Sequence, residues 1–344
     1  MRKRGFQASW PRITGLLLAT VVPLGASSDQ VELSSLVTIP VPHAIDSWAT
    51  GISDSGQMVG SSISEETLGL RGWSSNGHSQ WLVSVPGSSE TVADDVNNRG
   101  DIVGAFVESG RTIGYVASSN GRVSRLELSG WEITYATGIN DRRQVVADAV
   151  NADRSKPFLI ENGQSAAIDI PEAISSGAND INNAGQVVGA YFDVENRLRG
   201  YLYDHGAVTS LLFPGSEYTS AVAINDRGQI VGNYGGANGN GSFFYWNGVF
   251  SELTAPNIAV SFFVTGINNS GTIVGQYSTL TDANAFFADL QDLHGVKRAA
   301  KARRRPGDFG LMRRFPNSAV ARCPNVLLGA IVNASDIACL IGQR

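Results

Sequence analysis

The chain has 344 residues, 42% of them hydrophobic, which is enough for one large or two ordinary globular domains. Its net charge of −5 conceals an uneven distribution, because residues 28–290 hold 28 Asp/Glu and 12 Lys/Arg. An acidic body repels phosphate backbones, which excludes nucleic acid as its partner. The 39 glycines exceed the usual share of about 7% and predict many turns.

Residues 1–26 predict a secretory signal peptide. The basic segment MRKRGFQASWPR precedes the apolar ITGLLLATVVPLG, and small residues follow as far as Ser27, so cleavage near Ala26 is expected. Thirteen apolar residues are too few to span a bilayer comfortably, although a retained anchor is the alternative. We therefore expect a secreted or periplasmic protein with no membrane span in the mature chain.

The chain contains six copies of a short pattern, spaced 42 to 44 residues apart; the copy that begins at Ala223 reads AINDRGQIVGNY. Its Ile or Val anchors are Ile52, Val96, Ile139, Ile181, Ile224 and Ile267. Such even spacing predicts a repeat architecture. Each repeat of about 43 residues contains four strand patterns, as in YTSAVAIN, QIVGNY, SFFYW and VFSELTAP.

The first two strands of each repeat are joined by a predicted tight turn. Asn225 suits the first position of a type I turn, and Gly228 supplies a residue with positive φ at its end. Equivalent structural turn residues in the neighbouring repeats are Asn182, Gly185, Asn268 and Gly271.

The sequence predicts an all-β, six-bladed β-propeller over residues 34–290. The adjacent residues Ile230 and Val231 point to opposite faces of a strand, so both faces of each sheet must be covered. The last repeat lacks its fourth strand, and residues 34–40 match the missing strand. We expect this N-terminal strand to close the ring; an open β-solenoid is the alternative.

The third repeat departs from the pattern, because Arg143 replaces the turn glycine and Ala147 replaces the second glycine. A side chain at positive φ costs on the order of 1 kcal/mol. This blade is therefore expected to be the most distorted or to have a different turn, and Arg143→Gly is expected to stabilise it.

Over residues 36–290 the chain resembles the HAF-repeat family of bacterial extracellular proteins. The shared pattern is I-N-x-x-G-x-I-V-G-x-Y/F followed by an aromatic strand. The resemblance implies a secreted repeat protein and carries no catalytic residue.

Candidate binding residues deviate from the other repeats near the expected central channel. Asp95 and Asp180 are equivalent residues two blades apart, and Asp94 and Asn179 precede them. These four polar groups could hold a cation or a sugar, and the two carboxylates could act as an acid/base pair. Alternatively, they cap backbone amides or face channel water.

No metal site, cofactor or catalytic residue is predicted. The histidines His43, His78, His205 and His294 have no common spacing, and the Asn/Asp turns lack the ligand density of calcium loops. An aromatic residue in each third strand is expected in the core between blades: Trp73, Tyr115, Phe158, Tyr201, Phe243 and Phe286.

Residues 291–344 break the repeat and hold ten Lys/Arg against three Asp/Glu. We expect a poorly ordered or partly helical basic tail, with a tether to an anionic surface as the alternative. It contains both cysteines, Cys323 and Cys339, whose spacing does not decide whether they pair.

Three functions are consistent with these patterns. The first is a non-enzymatic scaffold that binds a glycan, a protein or a cell surface. The second is a glycan-acting hydrolase or lyase that uses channel carboxylates. The third is a purely structural surface protein.

Overall fold

The computed structural model describes residues 29–152, 154–237, 239–255, 261–279 and 282–291. The predicted signal peptide and the basic tail beyond Gln291, with Cys323 and Cys339, lie outside the described residues.

The described residues form six antiparallel four-stranded sheets, to one of which a fifth strand is added in parallel. Two N-terminal strands and the first two blades are β1 (Asp29–Glu32), β2 (Val37–Thr38), β3 (Ala44–Ile52), β4 (Met58–Ser64), β5 (Leu70–Ser75), β6 (Gln80–Val83), β7 (Glu90–Val96), β8 (Ile102–Glu108), β9 (Arg111–Ala117) and β10 (Val123–Leu126). Blades 3 and 4 comprise β11 (Ile133–Ile139), β12 (Val145–Asn151), β13 (Arg154–Glu161), β14 (Gln164–Ala167), β15 (Ser175–Ile181), β16 (Val187–Phe192), β17 (Leu198–Asp204) and β18 (Ala207–Leu211). Blades 5 and 6 comprise β19 (Tyr218–Ile224), β20 (Ile230–Gly236), β21 (Gly239–Trp246), β22 (Val249–Thr254), β23 (Ser261–Ile267), β24 (Thr272–Ser278) and β25 (Ala283–Asp289).

The sheets are the blades of a closed ring, which confirms the six-bladed propeller and contradicts the open solenoid. Blade 6 packs directly on blade 1, where the Ala285 N–H donates to Ser47 Oγ at 3.1 Å. Asn268 Nδ2 likewise donates to the Ser53 carbonyl at 3.1 Å. Each blade runs from an innermost first strand to an outermost fourth strand.

The N-terminal segment closes the ring, as predicted, and also adds a strand to blade 5, which was not predicted. β2 pairs with β25 as the fourth strand of blade 6, although this ladder covers only Val37 and Thr38. β1 pairs in parallel with β22 and adds a fifth strand to blade 5. Val31 of β1 is 3% exposed, and Leu33, between the two strands, is 0% exposed. The segment therefore joins two blades through both hydrogen bonds and buried apolar side chains.

A glycine in the second strand leaves room for the aromatic residue of the third strand. A Cβ on Gly232 would lie 2.1 Å from the Ser220 carbonyl oxygen and 2.6 Å from the Phe243 ring. Five of the six predicted core aromatics are fully buried beside such a glycine: Trp73, Tyr115, Tyr201, Phe243 and Phe286.

Blade 3 lacks this glycine, and its aromatic residue is placed differently. Ala147, which pairs with Phe158, is fully buried, and its methyl group occupies space that the ring fills in other blades. Phe158 is only half-buried and packs edge-on against Trp131 at 5.8 Å between ring centroids. Its predicted place in the core is therefore only partly realised.

The turn of blade 3 has the same geometry as the turn of blade 5, so the expected difference in this turn is not found. Arg143 has φ 61°, close to the 70° of Gly228, and its N–H donates to the Asn140 carbonyl at 3.0 Å as Gly228 donates to Asn225. Arg143 Nε also contacts Asp101 Oδ2 of blade 2 at 2.8 Å. Because the Asp101 side chain is fully buried, this ion pair offsets the cost of the positive φ.

Candidate functional site

A β-bulge in every first strand shapes the central channel. The register shifts at an equivalent residue in each of these strands, so that two residues oppose one residue of the second strand. The bulged residues all line a channel cavity of about 160 Å³ and are Thr50, Asp94, Thr137, Asn179, Val222 and Thr265.

Asp95 and Asp180 line this channel, and each links its own blade to the next one. Asp95 Oδ1 accepts the Val96 N–H at 2.7 Å, and Oδ2 accepts the Ile139 N–H of blade 3 at 2.8 Å. Asp180 repeats both bonds, to Ile181 at 2.6 Å and to Ile224 of blade 5 at 2.8 Å. Both oxygens of each carboxylate are therefore engaged by backbone amides.

The pKa values of this pair are raised above the ordinary value for Asp. Burial raises the pKa of Asp95 most, and its two backbone hydrogen bonds offset part of that effect. Burial and then the charge of Asp95 raise the pKa of Asp180. The two carboxyl groups thus influence each other across the channel.

Asp94 and Asn179 occupy the bulge position, where the side chain donates to a neighbouring blade in several of the repeats. Thr50 Oγ1 and Asn179 Nδ2 each donate at 2.7 Å to a backbone carbonyl of the next blade, that of Ala93 or Ala221. Asp94 Oδ2 is buried and has no hydrogen-bond partner among the described residues. Burial, and next the charge of Asp95, raise the pKa of Asp94 to about 8. A neutral carboxylic acid suits this position because it can donate.

Asp148 is a second buried acid, and the sequence reasoning missed it. Its side chain lies between blades 3 and 4, where Oδ1 accepts the Ala178 N–H at 2.8 Å and Oδ2 has no partner among the described residues. The equivalent Asn233 accepts the Val264 N–H at 3.3 Å and donates to the Val264 carbonyl at 3.0 Å. Burial raises the pKa of Asp148 to about 7, with the Ala178 bond opposing it. A polar residue inside the apolar VVADAV strand was the available signal.

A closed ring of carboxylate and amide side chains surrounds one mouth of the channel. This mouth ring contains one residue from each blade, alternately Asp and Asn: Asp54, Asn98, Asp141, Asn183, Asp226 and Asn269. Each backbone N–H donates to Oδ1 of the next member at 2.7 to 2.8 Å. Each Asn Nδ2 donates to both neighbouring carboxylates at 2.8 to 2.9 Å.

The alternation satisfies every carboxylate in the mouth ring. Each Asp receives one backbone N–H and two amide N–H groups, so both of its carboxylate oxygens have donors. For Asp141, burial acts in the other direction, but the hydrogen bonds from Asn98 and Asn183 outweigh it, so that its pKa is lowered. The order Asp, Asn, Asp, Asn, Asp, Asn directly after the turn's first residue was readable in the sequence.

The turn asparagines form a second set of contacts between blades. Asn225 Oδ1 accepts the N–H groups of Arg227 and Gln229, and its Nδ2 donates to the Asn268 carbonyl of blade 6 at 3.0 Å. Five blades make this inter-blade bond. Blade 1 has Ser53 at this position, which cannot reach as far. These residues therefore join blades as well as shaping turns.

Among the described residues, no group of three or more His, Cys, Asp or Glu side chains could hold a metal ion. Within the same ranges, no helix has the length and apolar character needed to cross a membrane.

The fold and its channel define a six-bladed β-propeller with an acidic mouth. Its fold is similar to a streptogramin B lyase structure, with TM-score 0.47 and 12% identity over 75% of this chain and 97% of the lyase. The β-propeller domain of the Trilobed protease from Pyrococcus furiosus is similar with TM-score 0.48 and 11% identity, over 77% of this chain and 95% of that domain. TolB from Acinetobacter baumannii is similar with TM-score 0.47 and 13% identity, over 69% of this chain and 66% of TolB. No protein-family model and no curated protein matches the chain.

Proposed function

We propose that the protein is a non-enzymatic binding scaffold whose ligand occupies the central channel and its mouth. The observation that carries this proposal is the hydrogen bonding of Asp95 and Asp180. Both oxygens of each carboxylate accept backbone amides. A general acid must exchange its proton with the substrate, and a nucleophile must present a free oxygen to it, so these groups are poorly suited to either role.

A glycan-acting hydrolase or lyase is the second candidate function. The observation that favours it is the raised pKa of both Asp95 and Asp180, which burial causes first. Perturbed carboxyl groups cluster at catalytic sites, but structural networks between buried groups raise pKa values as well. The bonds to Ile139 and Ile224 support a structural role for these carboxylates.

We further propose that the scaffold acts outside the cytoplasm, on a glycan, a protein or a cell surface. The leader-like residues 1–26 and the resemblance to the HAF-repeat family support this setting. The acidic body, with 28 Asp/Glu and 12 Lys/Arg in residues 28–290, favours partners that are not anionic.

A capture experiment tests the scaffold proposal. The full-length protein is screened on a glycan array and used in pull-downs, and captured glycans are analysed by mass spectrometry after prolonged incubation. We expect ligand that is bound and chemically unchanged. Shortened or unsaturated glycans that disappear with Asp95→Asn and Asp180→Asn would instead establish the enzyme.

A further inference from the structure

We infer that the central channel binds a small organic cation that carries hydroxyl groups, and that an amino sugar is the ligand class it fits. This inference rests on the proposed binding function, and it names the ligand of the same site. It is argued from the charge of the lining, from two aromatic side chains and from the size of the cavity.

The lining of the channel has one sign of charge. Six aspartates line it, whereas the lining residues that the structure describes include no Lys, Arg or His. Walls of a single sign concentrate ligands of opposite charge in a cleft. In the mouth ring, the charges of Asp54, Asp141 and Asp226 are stabilised by hydrogen bonds from asparagines, so they attract a cation without needing it for folding.

Two aromatic side chains in the lining point to an organic rather than a metal cation. Trp48 and Phe263 of the neighbouring blades 1 and 6 line the same cavity. Aromatic faces attract ammonium groups, and tryptophan does so most strongly. Ca²⁺ takes about six to eight oxygen ligands, whereas five of the six channel carboxylates already accept backbone or amide N–H groups.

Trp48 also carries a donor that the protein leaves without an acceptor. The residue is 7% exposed, and its Nε1–H has no hydrogen-bond partner among the described residues. A buried indole N–H normally finds an acceptor because leaving it unpaired is costly. A ligand oxygen would satisfy it, and this requirement distinguishes a hydroxylated amine from a simple amine.

The size of the cavity restricts the ligand to about one ring. The channel holds about 160 Å³. Cavities of about 150 Å³ bind benzene in other proteins, so a single six-membered ring fits. A pyranose with one ammonium group combines that size with the required charge and hydroxyl groups.

Isothermal titration of the full-length protein near neutral pH compares four probes of similar size. These are glucosamine, N-acetylglucosamine, glucose and cyclohexylamine. We expect glucosamine to bind about tenfold or more tightly than the two neutral sugars and more tightly than cyclohexylamine. Equal binding of glucosamine and glucose, or binding of none of the four, would overturn the inference.

Three variants separate binding from folding. Asp226→Asn removes one of the three mouth-ring charges, so we expect glucosamine affinity to fall about tenfold at a temperature at which the variant is folded. Asp148→Asn is the control, because this acid is fully buried between blades and does not line the channel; the affinity should stay constant while the melting temperature rises. Trp48→Phe should weaken glucosamine binding more than cyclohexylamine binding, because it removes the indole N–H as well as the larger aromatic face.

Certain outcomes of these experiments would contradict the inference. Equal affinities for glucosamine in Asp226→Asn and Asp148→Asn would show that the mouth-ring charge does not bind the ligand. If glycans are captured unchanged but glucosamine does not bind, the cation inference fails while the scaffold proposal stands. If glycans are cleaved, the scaffold proposal fails, and the preference for an amine is judged separately from the four probes.

Discussion

The mouth ring and the interfaces between blades 2, 3 and 4 use aspartate in opposite ways. In the ring, each carboxylate receives three N–H groups, and these bonds lower the pKa of Asp141. Between the blades, Asp94 and Asp148 each have one oxygen without a partner among the described residues, and burial raises their pKa values. Asp141 is therefore stabilised as an anion, whereas Asp94 and Asp148 are stabilised as neutral acids.

This difference shows that the neighbouring backbone decides what an aspartate does. The N–H groups around Asp141 lower its pKa, whereas burial raises the pKa of Asp94 and Asp148, each of which has one oxygen with no donor among the described residues. The two regions should consequently respond to pH and to Asp→Asn substitution with opposite signs.

The largest expected effect comes from Asp141→Asn in the mouth ring. The new amide would direct its N–H groups at the Nδ2 groups of Asn98 and Asn183, so that donors face donors. We expect the free energy of unfolding to fall by about 3 kcal/mol, measured by urea denaturation. Asp169→Asn is the control, since that side chain is 83% exposed and should change stability by less than about 0.5 kcal/mol. A ring variant as stable as the control would contradict the assigned bonding.

The same substitution between the blades should have the opposite sign. Asp148→Asn supplies the amide donor that Asn233 provides in blade 5, and we expect it to stabilise the protein by about 2 kcal/mol near pH 8. At pH 4 the wild-type acid is already protonated, so the gain should be small there. A loss of stability at pH 8 would show that Asp148 is a required anion.

Wild-type stability should therefore fall between about pH 4 and pH 8. The ordinary pKa of Asp is 3.8, whereas Asp148 and Asp94 titrate near 7 and 8 in the folded protein, chiefly because of burial. In this range the folded state holds protons that the unfolded chain has released, so unfolding becomes easier as pH rises. The stabilisation is complete below about 3.8 and is lost above 8.

The mouth ring contributes the reverse dependence at lower pH. The lowered pKa of Asp141 stabilises the fold above the ordinary pKa of 3.8, and this contribution is lost as pH falls through the lowered value. Melting temperature followed across pH should show a maximum in the acidic range. The alkaline decline should become shallower in Asp94→Asn and Asp148→Asn, and a profile unchanged by both would refute the assignment.

Arg143→Gly is expected to destabilise the protein by about 1 kcal/mol, contrary to the expectation from sequence. Glycine relieves the positive φ, but the substitution leaves the buried Asp101 carboxylate without its arginine partner. The loss is moderate because the arginine side chain is 56% exposed and solvent screens its charge. In an Asp101→Asn background the same substitution should become stabilising, which a double-mutant cycle would detect.

The smallest effect is expected for Ser53→Asn. Five blades donate an asparagine Nδ2–H to the next blade, and this change would supply the sixth bond, to the Asn97 carbonyl. We expect a gain of about 0.5 to 1 kcal/mol in urea denaturation. An unchanged or lower stability would mean that blades 1 and 2 are spaced differently from the other pairs.

Repeat spacing predicted the fold because each blade is specified locally. The adjacent apolar pair at Ile230 and Val231 and the missing last strand were enough to predict covered sheets and a closed ring. The parallel pairing of β1 could not be predicted, since DQVE lies outside the repeats and its partner is more than 200 residues away. The turn of Arg143 was misjudged because its compensating carboxylate belongs to another blade.

The sequence predicted the position of the four candidate residues in the channel but not their hydrogen bonds. Asp94, Asp95, Asn179 and Asp180 all line the channel. Their deviation from the repeat identified them, but their hydrogen-bond partners come from neighbouring blades and depend on the bulge. Asp148 and the mouth ring were missed because their roles depend on contacts between blades. The ring becomes visible only when equivalent residues of successive repeats are compared and the last repeat is placed beside the first.

The mouth ring limits how this protein can change its number of repeats. An alternating cycle of two residue types closes only when the number of members is even. Deleting or duplicating one repeat would place two carboxylates or two amides side by side, with no donor or acceptor between them. A gain or loss of two repeats preserves the pattern. The pair of blades, rather than the single blade, is thus the unit by which such a ring can grow or shrink.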